Sequence, residues 1–246
     1  MIKKAKTILL TGVSGYLGIP LAINLIKEGH YLIGVSRSKP KNDFLIKSKS
    51  YKHIDIDLCK EKGVRELVKE LKEQNINVDV LINNARSTSH YKFKNGKQSL
   101  ESIEIDLYFA VSLPYLLSME LAELGRLNSI INIGSQYGVV VANPRLYEDF
   151  TTSAPISYAI SKAALHHLTK ELAVRLAPSV RVNCLALGGI EGKAAPEFIE
   201  KYSEFLPLSR MLTIDEAVKP ILAIVNDNFN AMTGAIINVD GGWTLS

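Results

Sequence analysis

Thr7-Ile8-Leu9-Leu10-Thr11-Gly12-Val13-Ser14-Gly15-Tyr16-Leu17-Gly18 is the stretch that decides the fold. Residues 7–10 read as a short buried strand. After the glycines, Leu21, Ala22, Leu25 and Ile26 recur at helical spacing and stop at Gly29. Strand, glycine loop and helix form the context a phosphate-binding loop requires. Glycine lets the backbone approach a pyrophosphate closely, and a helix N-terminus offers free N–H groups and a positive dipole end. The stretch therefore predicts a dinucleotide site.

Outward from it, strand and helix alternate. Tyr31-Leu32-Ile33-Gly34-Val35 reads as a second strand and leads into Ser36-Arg37-Ser38. An acidic residue at the end of this strand holds the ribose 2′-hydroxyl of NAD. Ser36 stands there instead, followed by Arg37, and a hydroxyl with a cation suits a 2′-phosphate. NADP(H) is thus the expected cofactor, with NAD(H) as the alternative. A third strand is read at 53–56, a helix at 60–74, a fourth strand at 78–82, and a polar loop at 87–97. A long helix over 100–124 carries Pro114, which predicts a kink. Further strands fall at 129–133, 180–185 and 235–239, with a helix at 214–225 and a mobile segment at 188–207. The alternation predicts an α/β, Rossmann-type doubly wound parallel sheet of about seven strands with helices on both faces. Ligands in such sheets bind beyond the carboxyl ends of the strands, where Gly12, Asn83 and Ser135 fall.

Tyr158-Ala159-Ile160-Ser161-Lys162 begins another helix, with Leu165, Leu168, Leu172 and Leu176 at helical spacing, ending near Pro178. Tyr158 and Lys162 share one face, their side-chain roots about 5–6 Å apart. A free tyrosine is almost wholly protonated at neutral pH, and a neighbouring ammonium favours the phenolate. A tyrosine so poised exchanges a proton with a carbonyl or alcohol oxygen.

The chain has 246 residues, 47% hydrophobic and 22% charged, with a net charge of +4. That is an ordinary globular composition, expected to form one domain, and the charge is too mild to argue for nucleic acid. The lysine-rich stretch 39–52 reads as a solvated loop. Cys59 and Cys184 offer no disulfide framework and no metal spacing, which suits a reducing cytoplasm. The N-terminal Met1-Ile2-Lys3-Lys4 before Ile8-Leu9-Leu10 only superficially resembles a signal peptide. No apolar run approaches the roughly 18 residues of a membrane span, so none is expected.

In order and spacing, these segments resemble the short-chain dehydrogenase/reductase family of the single-domain, classical kind. The residues carrying the resemblance are the 11–18 loop, Asp57-Leu58, Asn83-Asn84-Ala85, Ile131-Asn132-Ile133-Gly134-Ser135, Tyr158 to Lys162, Arg181-Val182-Asn183, Thr233-Gly234 and Val239-Asp240-Gly241-Gly242. The resemblance implies Tyr158 as acid/base, Lys162 as ligand of the nicotinamide ribose, and Ser135 as hydrogen-bond donor to the substrate oxygen. It implies that Gly12, Ser14, Gly15, Tyr16, Leu17 and Gly18 line the cofactor phosphates. Asp57 and Leu58 would hold the adenine, Asn84 and Ala85 would flank its ribose, and Gly188 and Ile190 would meet the nicotinamide. The implied reaction is hydride transfer between the cofactor and a small-molecule carbonyl/alcohol pair. A 3-oxoacyl thioester is one alternative substrate, and a cofactor-binding sensor without turnover is the non-enzymatic alternative. The family's use of its two long central helices as contact faces implies a homodimer or homotetramer.

Several positions depart from the pattern. Tyr16 stands where the classical branch has glycine, giving the loop of extended members such as sugar-nucleotide epimerases. Arg86 stands where a glycine usually follows Asn-Asn-Ala, and Leu187-Gly188 replaces Pro-Gly. Asp106 occupies the place of a fourth catalytic residue, normally asparagine, whose backbone carbonyl holds a water leading to the lysine. Ser135 and Tyr158 have 22 residues between them, more than usual. The surplus, about 141–154, is expected to shape the substrate mouth, and 188–207 to form a lid. The insertion, with Tyr147-Glu148-Asp149-Phe150, also resembles dehydrogenases linked to bacterial surface-sugar and flagellin modification.

Overall fold

The computed structural model describes residues 4–87, 91–192 and 194–245. In chain order the elements begin β1 (Thr7–Thr11), α1 (Gly18–Lys27), β2 (Tyr31–Ser36), α2 (Asp43–Lys47), β3 (Tyr51–Asp55), α3 (Glu61–Glu73) and β4 (Val80–Asn83). A small hairpin follows, β5 (Phe93–Lys94) and β6 (Lys97–Gln98), then α4 (Leu100–Leu107) and α5 (Leu113–Glu123). The chain continues through β7 (Ser129–Ser135), α6 (Phe150–Ser153), α7 (Ile156–Arg175), β8 (Arg181–Leu187), α8 (Pro196–Ser203), α9 (Ile214–Val225) and β9 (Ile236–Val239).

Seven strands form one sheet in the order β3-β2-β1-β4-β7-β8-β9. Every adjacent pair in it is parallel, with registers such as Thr7 beside Tyr31, Ile8 beside Val80, and Ser129 beside Arg181. The order reverses between β1 and β4, which is where a Rossmann sheet opens a ligand crevice. Apolar layers cover both faces. Leu21 and Leu25 of α1 pack with Val218 and Ile221 of α9, and Leu67 of α3 packs with Leu117 of α5 and Leu172 of α7. Each fully buried leucine contributes about 1.5–3 kcal/mol of transfer free energy.

Local chemistry sets the helix starts. Ser99 accepts from Ser102 N–H to open α4, and Thr213 and Glu216 form a reciprocal capping box at α9. The kink expected at Pro114 takes another form. Pro114 occupies the first turn of α5, and the break precedes it as a π turn over Tyr108–Ser112, where Leu113 N–H reaches Tyr108 O. A proline cannot donate to the carbonyl four residues back, and slipping to an i→i−5 bond just before it accommodates that loss. By length and composition alone, the continuous helix Leu100–Glu123, of 24 residues, is long and apolar enough to cross a membrane. Its Leu113, Leu117 and Leu121 lie in the core beside α3 and α7.

Other expectations need correction. The 39–52 stretch is not all loop, since Asn42 caps α2 and Leu45 is buried. The polar loop at 87–97 contains the β5–β6 hairpin, whose Asn95 and Gly96 both have positive φ; Thr88, Ser89 and His90 lie outside the described residues. Within 188–207 lies α8, whose Tyr202 stacks on Trp243 at 4.4 Å; Lys193 lies outside the described residues, as do Met1 to Lys3.

Candidate active site

A cleft of 770 Å³ runs along the carboxyl ends of the strands, from Arg37 and Asp57 past the glycine loop to Tyr158 and Tyr202. Its centre is the junction of β1 and β4. Thr11 Oγ1 accepts from the N–H groups of Asn84 and Ala85, each at 3.0 Å, while Asn84 Nδ2 donates to Thr11 O and Gly12 O. Gly12 has φ +69°, and a Cβ there would stand 2.8 Å from Ala85 Cα. Ser14, Gly15, Tyr16 and Leu17 line the cleft beside it. Gly18 does not. It is the first residue of α1, and a Cβ on it would lie 2.4 Å from Gly12 O, so its glycine serves the close packing of helix on loop. The Tyr16 hydroxyl crosses the cleft and donates to Glu191 O.

At one end, Ser36, Arg37, Asp57 and Leu58 gather beyond β2 and β3. The Cys59 thiol and N–H hold the Asp57 carboxyl below the usual range, and the Arg37 charge adds to this. Burial, with Asp57, raises the Cys59 thiol to about 11. Ser36 Oγ donates to Ser38 O at 2.9 Å.

At the other end a buried polar chain fixes α7 against the sheet. Asn83 Nδ2 donates to Asn132 Oδ1 at 2.8 Å, Asn132 Nδ2 to Thr169 Oγ1 at 2.9 Å, and Thr169 Oγ1 to Leu165 O. This sets the height of Tyr158 and Lys162 over the strand ends. Lys162 Nζ donates to Ile133 O at 2.7 Å and stands 5.9 Å from the Tyr158 ring centroid. Burial lowers the Lys162 pKa, and the Arg86 charge adds to this, while Tyr158 opposes. Ser135 closes β7; its Oγ accepts from Tyr137 N–H at 3.2 Å, which leaves its own O–H to donate into the cleft. One turn past Lys162, His166 is buried with Nε2 lacking a hydrogen-bond partner among the described residues, and burial lowers its pKa to about 4.

Asp106 lies behind this row rather than in the cleft lining. Its carboxylate accepts from Ser157 Oγ at 2.5 Å, and Gln98 Nε2 donates to the same Ser157 oxygen at 2.6 Å. Ser157 directly precedes Tyr158, so the carboxylate braces the start of α7. Burial first, then the Asp106 charge, raises the Tyr91 phenol nearby.

Sequence reasoning missed much of the lining. Phe109, brought in by the π turn, joins Gln136, Tyr137, Phe198, Tyr202 and Met211. Tyr147, from the 141–154 insertion, sits among them, its hydroxyl 3.5 Å from that of Tyr137. Gly188 and Ile190 also line the cleft; Gly188 N–H donates to Val239 O, and Ile190 bridges to Leu212. The one available signal was the aromatic density of 198–205, which carries Phe198, Tyr202 and Phe205.

Residues 15–244 match a family model described as enoyl-(acyl carrier protein) reductase. The chain belongs to the short-chain dehydrogenase/reductase family. It is therefore an NAD(P)-dependent dehydrogenase/reductase acting on small molecules. A short-chain dehydrogenase from Leptospira borgpetersenii, solved with bound NAD+, is 31% identical with a TM-score of 0.88, over 98% of this chain and 93% of that one. The 3-oxoacyl-(acyl-carrier-protein) reductase of Buchnera aphidicola is 28% identical over 98% of both chains. The post-translational flagellin modification protein A of Campylobacter coli is 26% identical over 89% of this chain and 86% of its own.

Proposed function

We propose that this short-chain dehydrogenase/reductase uses NADP(H) to interconvert a carbonyl and a secondary alcohol on a polar small molecule, with sugar derivatives the first class to test. The observation that carries the reading is the shared cleft. Ser135, Tyr158 and Lys162 line it together with the glycine loop. Gly12 has no room for a side chain against Ala85, so its backbone, with Ser14 and Gly15, stays bare at the cleft as a pyrophosphate-binding loop requires.

A bound nicotinamide dinucleotide supplies the hydride. The Tyr158 hydroxyl gives a proton to the carbonyl oxygen in reduction and takes one from the alcohol in oxidation. Ser135 O–H donates to the same oxygen and holds it at the phenol. Lys162, anchored on Ile133 O, keeps positive charge beside Tyr158 and offers its remaining donors to the nicotinamide ribose. Ser36 and Arg37 receive the 2′-phosphate, Asp57 and Leu58 hold the adenine, and Asn84 and Ala85 flank its ribose. Gly188 and Ile190 border the nicotinamide, and the 188–207 segment acts as the lid of a single domain.

The Buchnera relative's name favours a second reading, reduction of a 3-oxoacyl thioester. Free Cys59 and Cys184 suit a cytoplasmic setting. α7 buries Ser157, Ser161 and Thr169 yet exposes Ile156, Ile160 and Val174, and Leu100 and Tyr115 are exposed on the neighbouring helix. Apolar residues outside and hydroxyls inside support a homodimer or homotetramer joined through these helices.

The test is turnover of NADPH and NADH against keto-sugars, simple ketones and a 3-oxoacyl thioester, with the product identified. Carbonyl reduction with NADPH favoured is the expected result. Tight NADPH binding without turnover of any member would replace the enzyme with a sensor.

A further inference from the structure

Resting on that reading, we propose that the substrate carries a carboxylate close to its carbonyl, and that Arg86 receives it. Arg86 is the first residue past the locked β1–β4 junction, because the bonds from Thr11 fix the backbone only through Ala85. Its guanidinium lies over the Tyr158 ring, 4.9 Å from the centroid, and its side chain lines the cleft. It is exposed, and among the described residues it forms no ion pair. Asp106, which shares Tyr91 with it as a neighbour, is engaged by Ser157 behind the row.

The charge balance of this half of the cleft points the same way. Around Tyr158 the described lining holds two cations, Arg86 and Lys162, and no carboxylate; Asp57 lies at the far, adenine end. Lys162 is committed to Ile133 O and the ribose. Among the described residues Arg86 is left as a planar fork of donors with no carboxylate to match it, in a space whose remaining walls are largely aromatic. A guanidinium so placed pairs best with a carboxylate, by two parallel hydrogen bonds. The carbonyl oxygen belongs at the Tyr158 hydroxyl and the guanidinium covers that same ring, so the carboxylate sits only a few bonds from the reacting carbon. Tyr147, Phe198 and Tyr202 face the rest of the molecule.

The test pairs each of two keto acids with its neutral ester: acetoacetate with ethyl acetoacetate, and levulinate with ethyl levulinate. Steady-state kcat/KM is measured with NADPH for the wild type, Arg86→Gln and Arg86→Lys. A charge-assisted pair corresponds to a preference of roughly ten- to a hundredfold for at least one acid over its ester. Arg86→Gln should bring that ratio close to one through a rise in the acid's KM, and Arg86→Lys should restore part of it. No preference for either acid in the wild type overturns the proposal. So does a ratio unchanged in Arg86→Gln. An equal fall in kcat on acid and ester would make Arg86 a positioning residue for Tyr158 instead, and also overturns it. If none of the four compounds is reduced, carbonyl reduction itself is in question. Calorimetric binding of the same compounds to the NADPH complex then decides the anion site separately. Acid bound tighter than ester, with the difference lost in Arg86→Gln, supports the site; equal binding refutes it.

Discussion

Asp106→Ala and Asp106→Asn separate a brace from a chemical group. The carboxylate accepts from Ser157 Oγ at 2.5 Å, and Ser157 is wholly buried one residue before Tyr158. Alanine removes a charge-assisted bond and leaves a buried hydroxyl short of an acceptor, together about 2–4 kcal/mol. At this chain length each kcal/mol moves Tm by about 2–4 °C, so Asp106→Ala should melt roughly 5–15 °C lower. Asparagine keeps an acceptor oxygen and should lose about 1 kcal/mol. If only the backbone and the brace matter, Asp106→Asn keeps kcat within about threefold, under 1 kcal/mol of barrier. Differential scanning fluorimetry and steady-state NADPH oxidation on the same preparations read both effects. A hundredfold loss of kcat in Asp106→Asn at an unchanged Tm would refute the reasoning and put the carboxylate into proton transfer.

Arg37→Ala should weaken NADPH use by roughly ten- to a hundredfold and leave NADH nearly unchanged; a wild type that prefers NADH would exclude the 2′-phosphate role. His166 has a folded pKa of about 4, below the ordinary 6.5. The unfolded chain therefore takes up a proton between those values that the native state refuses. The contribution is present above pH 6.5 and is lost as pH falls toward 4, about 3 kcal/mol in all. Urea denaturation across this range should show a smaller loss in His166→Gln than in the wild type; equal pH dependence would contradict it. Light scattering at micromolar concentration should give a dimer or tetramer mass, and Ile160→Glu should lower it; a monomer mass for the wild type excludes the helical interface.

The sheet was legible because its signals are local. The buried strand before Gly12, the helical spacing after it and the alternation that follows need no tertiary information. The capping box at Thr213 marks the α9 start just as locally. Tyr158, Lys162 and Ser135 were legible through spacing and order, and the fold brings them to one cleft. The β5–β6 hairpin was missed although Asn95-Gly96 is a strong type I′ turn signal. The π turn was missed because a proline announces a disturbance without fixing its register. The aromatic mouth was not legible. Tyr137 and Tyr147 lie far in sequence from Phe198 and Tyr202, and the four meet at the cleft only when the 141–154 insertion and α8 come together in the folded chain. Arg86 was visible only as a departure, since nothing in its neighbours in sequence places it over Tyr158.

The most direct measurement is single-turnover oxidation of bound NADPH by a carbonyl substrate in the wild type, Tyr158→Phe and Tyr147→Phe. Tyr158→Phe keeps the ring under Arg86 and beside Lys162 and removes only the hydroxyl. Loss of the proton donor predicts a rate at least about a hundredfold lower with NADPH affinity preserved. Tyr147 lies in the mouth beside Tyr137, so its phenylalanine variant should raise KM more than it lowers the rate. Near wild-type turnover in Tyr158→Phe, with turnover abolished in Tyr147→Phe, would contradict the assignment and leave the Tyr158–Lys162 pair a structural feature of α7.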